Sequence, residues 1–345
     1  MIIFKKSIDL IKNKKLKIVE KKVRINKKEN IYIKVESCGI CSSDLKFIKT
    51  GSRIKKFPIT LGHEISGKIS NSKNVILCAE VPCEKCYYCK NLTNKTNLSS
   101  NPVSIGSNFN GGFSNYFIVK KKIFKRIPKI VYQGKILKYG SLAESLACVI
   151  NGLEVVEFDK NKKLIIVGAG YMGLLFVSIA KYYGSKNISV IDYNIKRLNL
   201  AKKLGANKIF KFKMSKNKSI DKLIKPTNYN GYDSVVSANG NIDSHELSIK
   251  LASKKGVVNI FGGTPKNKKI SFDTNQVHYR EVKITGSFSS NLNHLKKAFE
   301  ILKSNKIDFS KIVSSYANYN NFNKKIMSLN NRKETKVIFR PNNEI

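Results

Sequence analysis

The feature that most constrains the fold is a set of spaced glycines that follows a short apolar segment and opens a helical pattern. The glycines are Gly168, Gly170 and Gly173, and the apolar segment spans residues 164–167. In a βαβ unit the first glycine permits a tight turn, the second lets a pyrophosphate approach the backbone, and the third lets the helix pack on the strand. A second apolar segment, residues 188–191, completes such a unit. The pattern predicts an α/β fold with a doubly wound parallel sheet.

The acidic residue that ends the second segment indicates which dinucleotide binds. Asp192 follows Gly173 by 19 residues, and a carboxylate there accepts hydrogen bonds from both ribose hydroxyls and repels a 2′-phosphate. This favours NAD over NADP, although the basic neighbours Lys196 and Arg197 could accommodate a phosphate. The alternative is a glycine-rich turn that binds nothing, with Asp192 as a solvated strand end.

The segments on either side of this unit differ in their pattern. Residues 16–37, 73–77 and 113–119 resemble short strands, so the first 120 residues are predicted to be all-β. A helix is predicted over 142–156, and alternating strands and helices continue to about residue 288. We predict a catalytic domain at 1–152, a dinucleotide-binding domain at 153–289, and a return of residues 290–345 to the first domain.

Composition narrows the class of protein. A chain of 345 residues is long enough for about two domains. Its formal charge of +42 raises the hypothesis of a nucleic-acid-binding protein that retains the predicted α/β fold, but only seven of the 65 basic residues are arginine. Compositional bias towards lysine therefore explains the charge better than a nucleic-acid site. Seven cysteines, an odd number, and the lack of an 18-residue apolar run predict a cytoplasmic protein without a membrane span.

Three residues in the first domain offer every type of side chain that binds zinc. Cys41, His63 and Glu64 supply a thiolate, an imidazole and a carboxylate, and a catalytic zinc site keeps one further position open for water or substrate. The alternative is a buried free cysteine and a core histidine that are close only in sequence.

Taken together, six motifs resemble those of the medium-chain zinc-dependent dehydrogenases, above all the sorbitol (polyol) and threonine dehydrogenase branch. The motifs are GICSSD (39–44), GHE (62–64), AESLACVING (143–152), VGAGYMG (167–173), VNIFGG (258–263) and REVKITGSF (280–288). The resemblance implies a GroES-like all-β catalytic domain, a Rossmann NAD-binding domain, and a homodimer or homotetramer.

The resemblance also implies roles for individual residues. Cys41 and His63 are expected to bind the catalytic zinc, and one or both of Glu64 and Glu144 complete the site or hold its water. Ser43 is expected to relay the substrate proton. Ser145 stands where the family has proline, and Cys38 is expected to be a packed strand residue. The expected cofactor contacts beyond the glycine turn are Met172, Asp192, Arg197, Phe261, Gly262, Gly263, Ser287, Phe288 and Ser289.

A second cysteine group has the spacing of the family's structural zinc lobe but is incomplete. Cys83, Cys86 and Cys89 are separated by two residues each, and the fourth thiolate is expected at position 97, which is Asn97. A structural zinc site normally has four ligands. The lobe therefore either holds zinc with a substitute ligand or has lost its metal.

These motifs predict a zinc-dependent NAD oxidoreductase that interconverts a secondary alcohol and its ketone. The substrate expected from the resemblance is a polyol, inositol or sugar alcohol, with or without a phosphate. L-Threonine is the first alternative, and it would need partners for its carboxylate and ammonium groups.

Overall fold

The computed structural model describes residues 1–12, 14–70, 72–92, 96–212 and 220–342, and it divides into two compact units. Unit 1 comprises Met1–Ala147 and Ser289–Ile345, and unit 2 comprises Cys148–Phe288. No helix in the described part of the chain is both long and apolar enough to span a bilayer.

Unit 1 is built mainly from antiparallel strands. Its strands are β1 (Ile2–Leu10), β2 (Leu16–Arg24), β3 (Asn30–Ile40), β4 (Ile59–Thr60), β5 (Glu64–Lys68), β6 (Asn74–Leu77), β7 (Glu80–Val81), β8 (Val103–Ser104), β9 (Tyr116–Lys120), β10 (Lys129–Tyr132), β17 (Ser315–Ala317) and β18 (Val337–Phe339). Its helices are α1 (Ser42–Thr50), α2 (Tyr87–Asn91), α3 (Lys121–Arg126), α10 (Leu292–Ser304) and α11 (Phe322–Asn330), and α4 (Ala143–Val155) runs across the boundary.

The largest sheet of unit 1 brings distant parts of the sequence together. Its order is β10-β6-β5-β3-β18-β17, with β9 also paired to β3. The long strand β3 pairs with β5 on one side and with β18 on the other, so that Gly39 lies between Glu64 and Ile338. This register carries the end of the chain to the segment that contains Cys41.

Helix α1 was not predicted, because residues 1–120 were expected to be all-β. Asp44 caps its first turn by accepting the backbone N–H of Cys41 at 2.8 Å, and the helix ends at Gly51, whose φ of 68° is left-handed. Only Asp44 and Phe47 of this helix are buried. The helix therefore gives a weak apolar periodicity, and the all-β prediction is wrong here. Phe47 packs in the core of unit 1.

Unit 2 contains a six-stranded parallel sheet in the order β13-β12-β11-β14-β15-β16. The strands are β11 (Leu164–Val167), β12 (Ile188–Asp192), β13 (Lys208–Lys211), β14 (Tyr232–Ser237), β15 (Ala252–Ile260) and β16 (Lys283–Gly286). The helices are α5 (Tyr171–Tyr182), α6 (Ile195–Lys203), α7 (Asp221–Ile224), α8 (Ile242–Leu251) and α9 (Thr274–His278). Counted within the unit, the order is 3-2-1-4-5-6, which is the order of dinucleotide-binding sheets. The predicted doubly wound fold is confirmed.

The glycine turn between β11 and α5 works as the spacing predicts. Gly168 has a φ of 110°, which disfavours residues with a Cβ. A Cβ on Gly173 would overlap the carbonyl oxygen of Gly168, so only glycine lets the helix start this close to the strand. All four residues of β11 are buried, as expected for the central strand of a parallel sheet.

Candidate functional site

The candidate metal centre lies where β3 ends and β5 begins. Cys41 directly follows β3, and Glu64 is the first residue of β5, opposite Gly39. The ligand atoms of Cys41, His63 and Glu64 all lie within 4.8 Å of one another. A Cβ at position 39 would overlap Oε2 of Glu64, so any larger residue there would displace this carboxylate. The strand pairing therefore assembles a thiol, an imidazole and a carboxylate, a donor set that suits zinc.

Asp44 contacts two of these three residues, Cys41 and His63. It is fully buried, accepts the backbone N–H groups of Cys41 at 2.8 Å and Gly62 at 3.3 Å, and lies 3.5 Å from Nδ1 of His63. A carboxylate on one ring nitrogen of a histidine directs the other nitrogen to a metal. Burial alone lowers the pKa of His63, but Asp44 and Cys41 outweigh it and hold that pKa well above its ordinary value.

Glu64 is held by contacts that the motifs did not reveal. Its Oε1 accepts hydrogen bonds from Lys336 Nζ at 2.7 Å and from Ser145 Oγ at 3.0 Å, and Oε2 lies 2.5 Å from the same Nζ. Lys336 also donates to the carbonyl oxygen of Ile40 at 3.1 Å. Glu64 and Lys336 are essentially unexposed. A buried carboxylate needs such a countercharge, and the pair places a fixed positive charge beside the ligand group.

The second acidic candidate, Glu144, is buried in the first turn of α4. It lies outside the close group formed by Cys41, His63 and Glu64. Glu144 acts electrostatically on Cys78: burial and then the Glu144 charge raise the pKa of Cys78 to about 12. Cys78 Sγ is 3.9 Å from Ser290 Oγ. Cys78 is therefore a neutral thiol beside Glu144.

The hydroxyl of Ser43 is a buried polar group near the candidate metal centre. Its Oγ is buried and has no hydrogen-bond partner among the described residues. Because an unpartnered buried hydroxyl is costly, such a group is typical of a position that a bound molecule completes. Ser43 lies two residues after Cys41, in the first turn of α1.

Glu80 is an acidic residue near this centre that the motifs did not single out. Burial raises its pKa, while the hydroxyl of Ser104 and the charges of Arg53 and His63 oppose that rise. Ser104 Oγ donates to Glu80 Oε2 at 2.5 Å. The local sequence gives no signal for this carboxylate, because its neighbours are assembled by the pairing of β7 with β8.

In unit 2 the carboxylate of Asp192 lies at the glycine turn. Its Oδ2 accepts the backbone N–H of Ala169 at 2.7 Å, and its Oδ1 accepts that of Asn194 at 2.8 Å. Each carboxylate oxygen can accept a further hydrogen bond. Arg197, in the first turn of α6, is half-buried, and so is Met172 in α5. Asp192 therefore lies beside the glycine turn at the carboxyl ends of β11 and β12, where the adenosine end of a cofactor is predicted.

The other expected cofactor contacts lie at the ends of later strands. Phe261 follows β15 and packs edge-on against Phe176 at 4.9 Å between ring centroids, and Gly262 donates its N–H to the Ser237 carbonyl at 3.0 Å. Gly263 and Phe288 are exposed. Ser287 exchanges hydrogen bonds with Asn259, at 2.9 and 3.3 Å. Ser289 belongs to unit 1 rather than unit 2.

The three spaced cysteines also converge, but in a different environment. Their sulfur atoms lie within 4.8 Å of one another, and all three residues are half-buried. Hydrogen bonds from the backbone of Ser100 and of Cys89 lower the pKa of Cys86 to about 5. The hydroxyl of Ser99 is the main cause that lowers the pKa of Cys83, whereas burial raises the pKa of Cys89.

Comparisons with known proteins agree with the division of the chain into two units. The family model "Alcohol dehydrogenase GroES-like domain" matches residues 27–129, and the model "Zinc-binding dehydrogenase" matches residues 172–304. The chain is 29% identical over 301 residues to D-arabitol-phosphate dehydrogenase of Enterococcus avium, covering 83% of this chain and 82% of that protein. It is 26% identical over 296 residues to D-altritol 5-dehydrogenase of Agrobacterium fabrum, covering 82% and 83%.

A solved structure shows the same fold. The alcohol dehydrogenase of Thermotoga maritima superposes with a TM-score of 0.88 at 21% identity, covering 98% of this chain and 100% of that chain.

Proposed function

Because the chain belongs to the zinc-dependent medium-chain alcohol dehydrogenases, in their polyol branch, we propose that it interconverts a secondary hydroxyl of a polyol and the corresponding ketone with NAD. The observation that carries this proposal is the convergence of Cys41, His63 and Glu64 within 4.8 Å. The unpartnered hydroxyl of Ser43 beside that group supports it.

The residues of the chain have distinct parts in this proposal. Cys41 and His63 hold the metal, with Glu64 or Glu144 as the acidic ligand. When bound, zinc supplies a Lewis acid for the substrate oxygen, and NAD supplies the acceptor for the hydride. Asp44 keeps the His63 ring oriented. Ser43 receives the proton that the substrate hydroxyl loses and passes its own proton towards solvent.

The substrate class is proposed from the relatives and from the acidic groups of unit 1. Both named relatives are dehydrogenases of sugar alcohols, and one acts on a phosphate ester. Carboxylates such as Glu144 and Glu80 can accept hydrogen bonds from neighbouring hydroxyls of a polyol. L-Threonine is the weaker alternative, because neither named relative acts on an amino acid. Asp192 supports NAD over NADP, since its carboxylate would repel a 2′-phosphate.

A substrate panel tests the proposal. The purified zinc-loaded protein is assayed for NADH formation with pentitols, hexitols, their phosphate esters and L-threonine. We expect NADH from at least one polyol or polyol phosphate. Activity with threonine alone would contradict the substrate class.

A matched pair of cysteine variants tests the metal centre. Cys41→Ala should lose activity and about one zinc per chain. Cys38→Ala, which changes a cysteine in β3 just before Cys41, should keep its zinc. Full zinc content in Cys41→Ala would contradict the assignment of Cys41.

Family membership also supports a cytoplasmic homo-oligomer, which we offer as an expectation. Light scattering coupled to size-exclusion chromatography measures the molar mass in solution and so tests the oligomeric state directly.

A further inference from the structure

The cysteine lobe does not provide a closed structural zinc site. Cys83, Cys86 and Cys89 supply three thiols, and the next cysteine along the chain is Cys148. Position 97, where a fourth thiolate is expected, is a buried asparagine. A structural zinc is held by four sulfur or nitrogen ligands, and an amide oxygen is a hard ligand that suits other metals. The lobe therefore supplies three thiols without the fourth sulfur or nitrogen ligand of a closed site among the described residues.

The geometry of the lobe singles out one pair of thiols. Cys86 Sγ is 3.5 Å from Cys89 Sγ, and Cys83 Sγ is 3.9 Å from the same atom. A disulfide bond is about 2.05 Å long, so an approach of about 1.5 Å would join Cys86 to Cys89. Cys86 caps α2 and Cys89 lies within it, so both belong to one short segment. The side chains can close this distance without a change in the sheets of unit 1.

The surroundings of Cys86 suit it to be the attacking thiolate. The backbone N–H of Ser100 donates a hydrogen bond to Cys86 Sγ at 3.4 Å, and such bonds stabilise the charged sulfur. Hydrogen bonds from the Ser99 hydroxyl and from the backbone of Lys85 and Cys86 also lower the pKa of Cys83, but its sulfur lies farther from that of Cys89, at 3.9 Å rather than 3.5 Å. Cys86 is half-buried, so a small reagent in solvent can reach it.

We propose that Cys86 and Cys89 are a modification site that forms a reversible disulfide with a small-molecule disulfide of the glutathione class as the oxidant. The thiolate of Cys86 attacks one sulfur of the reagent, breaks its S–S bond and expels one thiolate. Cys89 then loses its proton and attacks the sulfur of Cys86, which expels the second thiolate. Two electrons pass from the protein to the reagent, and the released thiolates take up the two protons that the cysteines lost.

To test this proposal, the zinc-loaded full chain is treated with oxidised glutathione. The remaining free thiols are then alkylated, and the modified cysteines are identified by peptide mapping with mass spectrometry. The wild type should yield a Cys86–Cys89 disulfide and lose two hydrogens. Cys89→Ser should stop at a stable glutathione adduct on Cys86, because the resolving thiol is gone. Cys83→Ser should still form the disulfide, and Cys148→Ser, outside the lobe, serves as the matched control.

Two results would overturn the proposal. The first is a wild type with about two zinc ions per chain whose three lobe thiols resist both alkylation and glutathione, which would make the lobe a closed metal site. The second is an adduct on Cys83 rather than Cys86 in Cys89→Ser. Zinc content and NADH formation are measured on the same samples, so a failure of the proposed enzymatic function is distinguished from a failure of the lobe chemistry.

Discussion

The ligand group of Cys41, His63 and Glu64 and the lobe of Cys83, Cys86 and Cys89 both bring three metal-binding side chains within 4.8 Å, but their surroundings differ. In the first group the buried Asp44 accepts the backbone N–H of Cys41 and lies 3.5 Å from His63 Nδ1, and the buried Lys336 pairs with Glu64. The lobe residues are half-buried, and among the described residues their sulfurs hydrogen-bond to one another and to the backbone N–H of Ser100. Convergence alone therefore does not define a metal centre, because supporting contacts fix the ligands and neutralise their charge.

The largest effect is expected when the support of Glu64 is removed. Lys336→Met leaves a buried carboxylate without its countercharge, which should lower the free energy of unfolding by about 3–5 kcal/mol. Denaturant unfolding measures this loss. The matched control is Lys283→Met, whose exposed pair with Glu157 at 2.8 Å is screened by solvent, so its loss should leave the free energy of unfolding nearly unchanged. Equal losses in the two variants would mean that the Lys336–Glu64 pair has no special weight.

The rate at which Cys86 is alkylated should depend only weakly on pH. Its lowered pKa keeps the thiolate populated at any pH above about 5. From about pH 8 to about pH 6, alkylation of Cys86 should therefore fall less than twofold, whereas a free thiol of pKa ~8.5 should slow by roughly 80-fold. Ser100→Ala keeps the backbone donor and should behave as the wild type. A Cys86 profile that follows the free thiol would contradict the role of that donor.

Asp44→Asn should weaken zinc binding at the ligand group of Cys41, His63 and Glu64. The His63 ring loses its anionic partner, so zinc affinity should fall by about 10–100-fold in a competition with a chelator. Asp44 also holds the pKa of His63 high, so the variant relieves competition from protons at acidic pH. The loss of affinity should therefore be greater at alkaline than at acidic pH. The exposed Asp308→Asn is the control, and a loss that does not vary with pH would argue against the electrostatic part of the explanation.

The smallest effect is expected from Ser145→Ala. The variant removes the hydrogen bond of 3.0 Å to Glu64 but leaves the ion pair between Lys336 and Glu64. The free energy of unfolding should therefore fall by about 1–2 kcal/mol. The same denaturant experiment measures it, with Ser304→Ala, whose hydroxyl bonds the carbonyl of Ile301 in its own helix, as the control. A loss as large as that of Lys336→Met would show that the hydroxyl, not the charge, holds Glu64.

The parts of the fold that were predictable have strong local patterns. The strands of unit 2 are short apolar runs because they are buried, and the glycine turn between β11 and α5 permits only a few backbone conformations. Helix α1 was missed because only two of its nine residues, Asp44 and Phe47, are buried, so its apolar pattern is weak. Lys336 was missed for a different reason: one lysine among 65 basic residues carries no local signal.

The classes of chemistry can be read from the amino-acid sequence alone, because a thiol, an imidazole and carboxylates at fixed spacings limit the metal, and a glycine turn followed by an acidic residue limits the cofactor. Which charged side chains pair with each other depends instead on the three-dimensional fold. Lys336 and Glu64 are 272 residues apart in the chain, and the pairing of β18 and β5 with β3 brings them into one buried contact. A charge removed from water must find a countercharge, and the position of that partner depends on the sheet rather than on neighbouring residues.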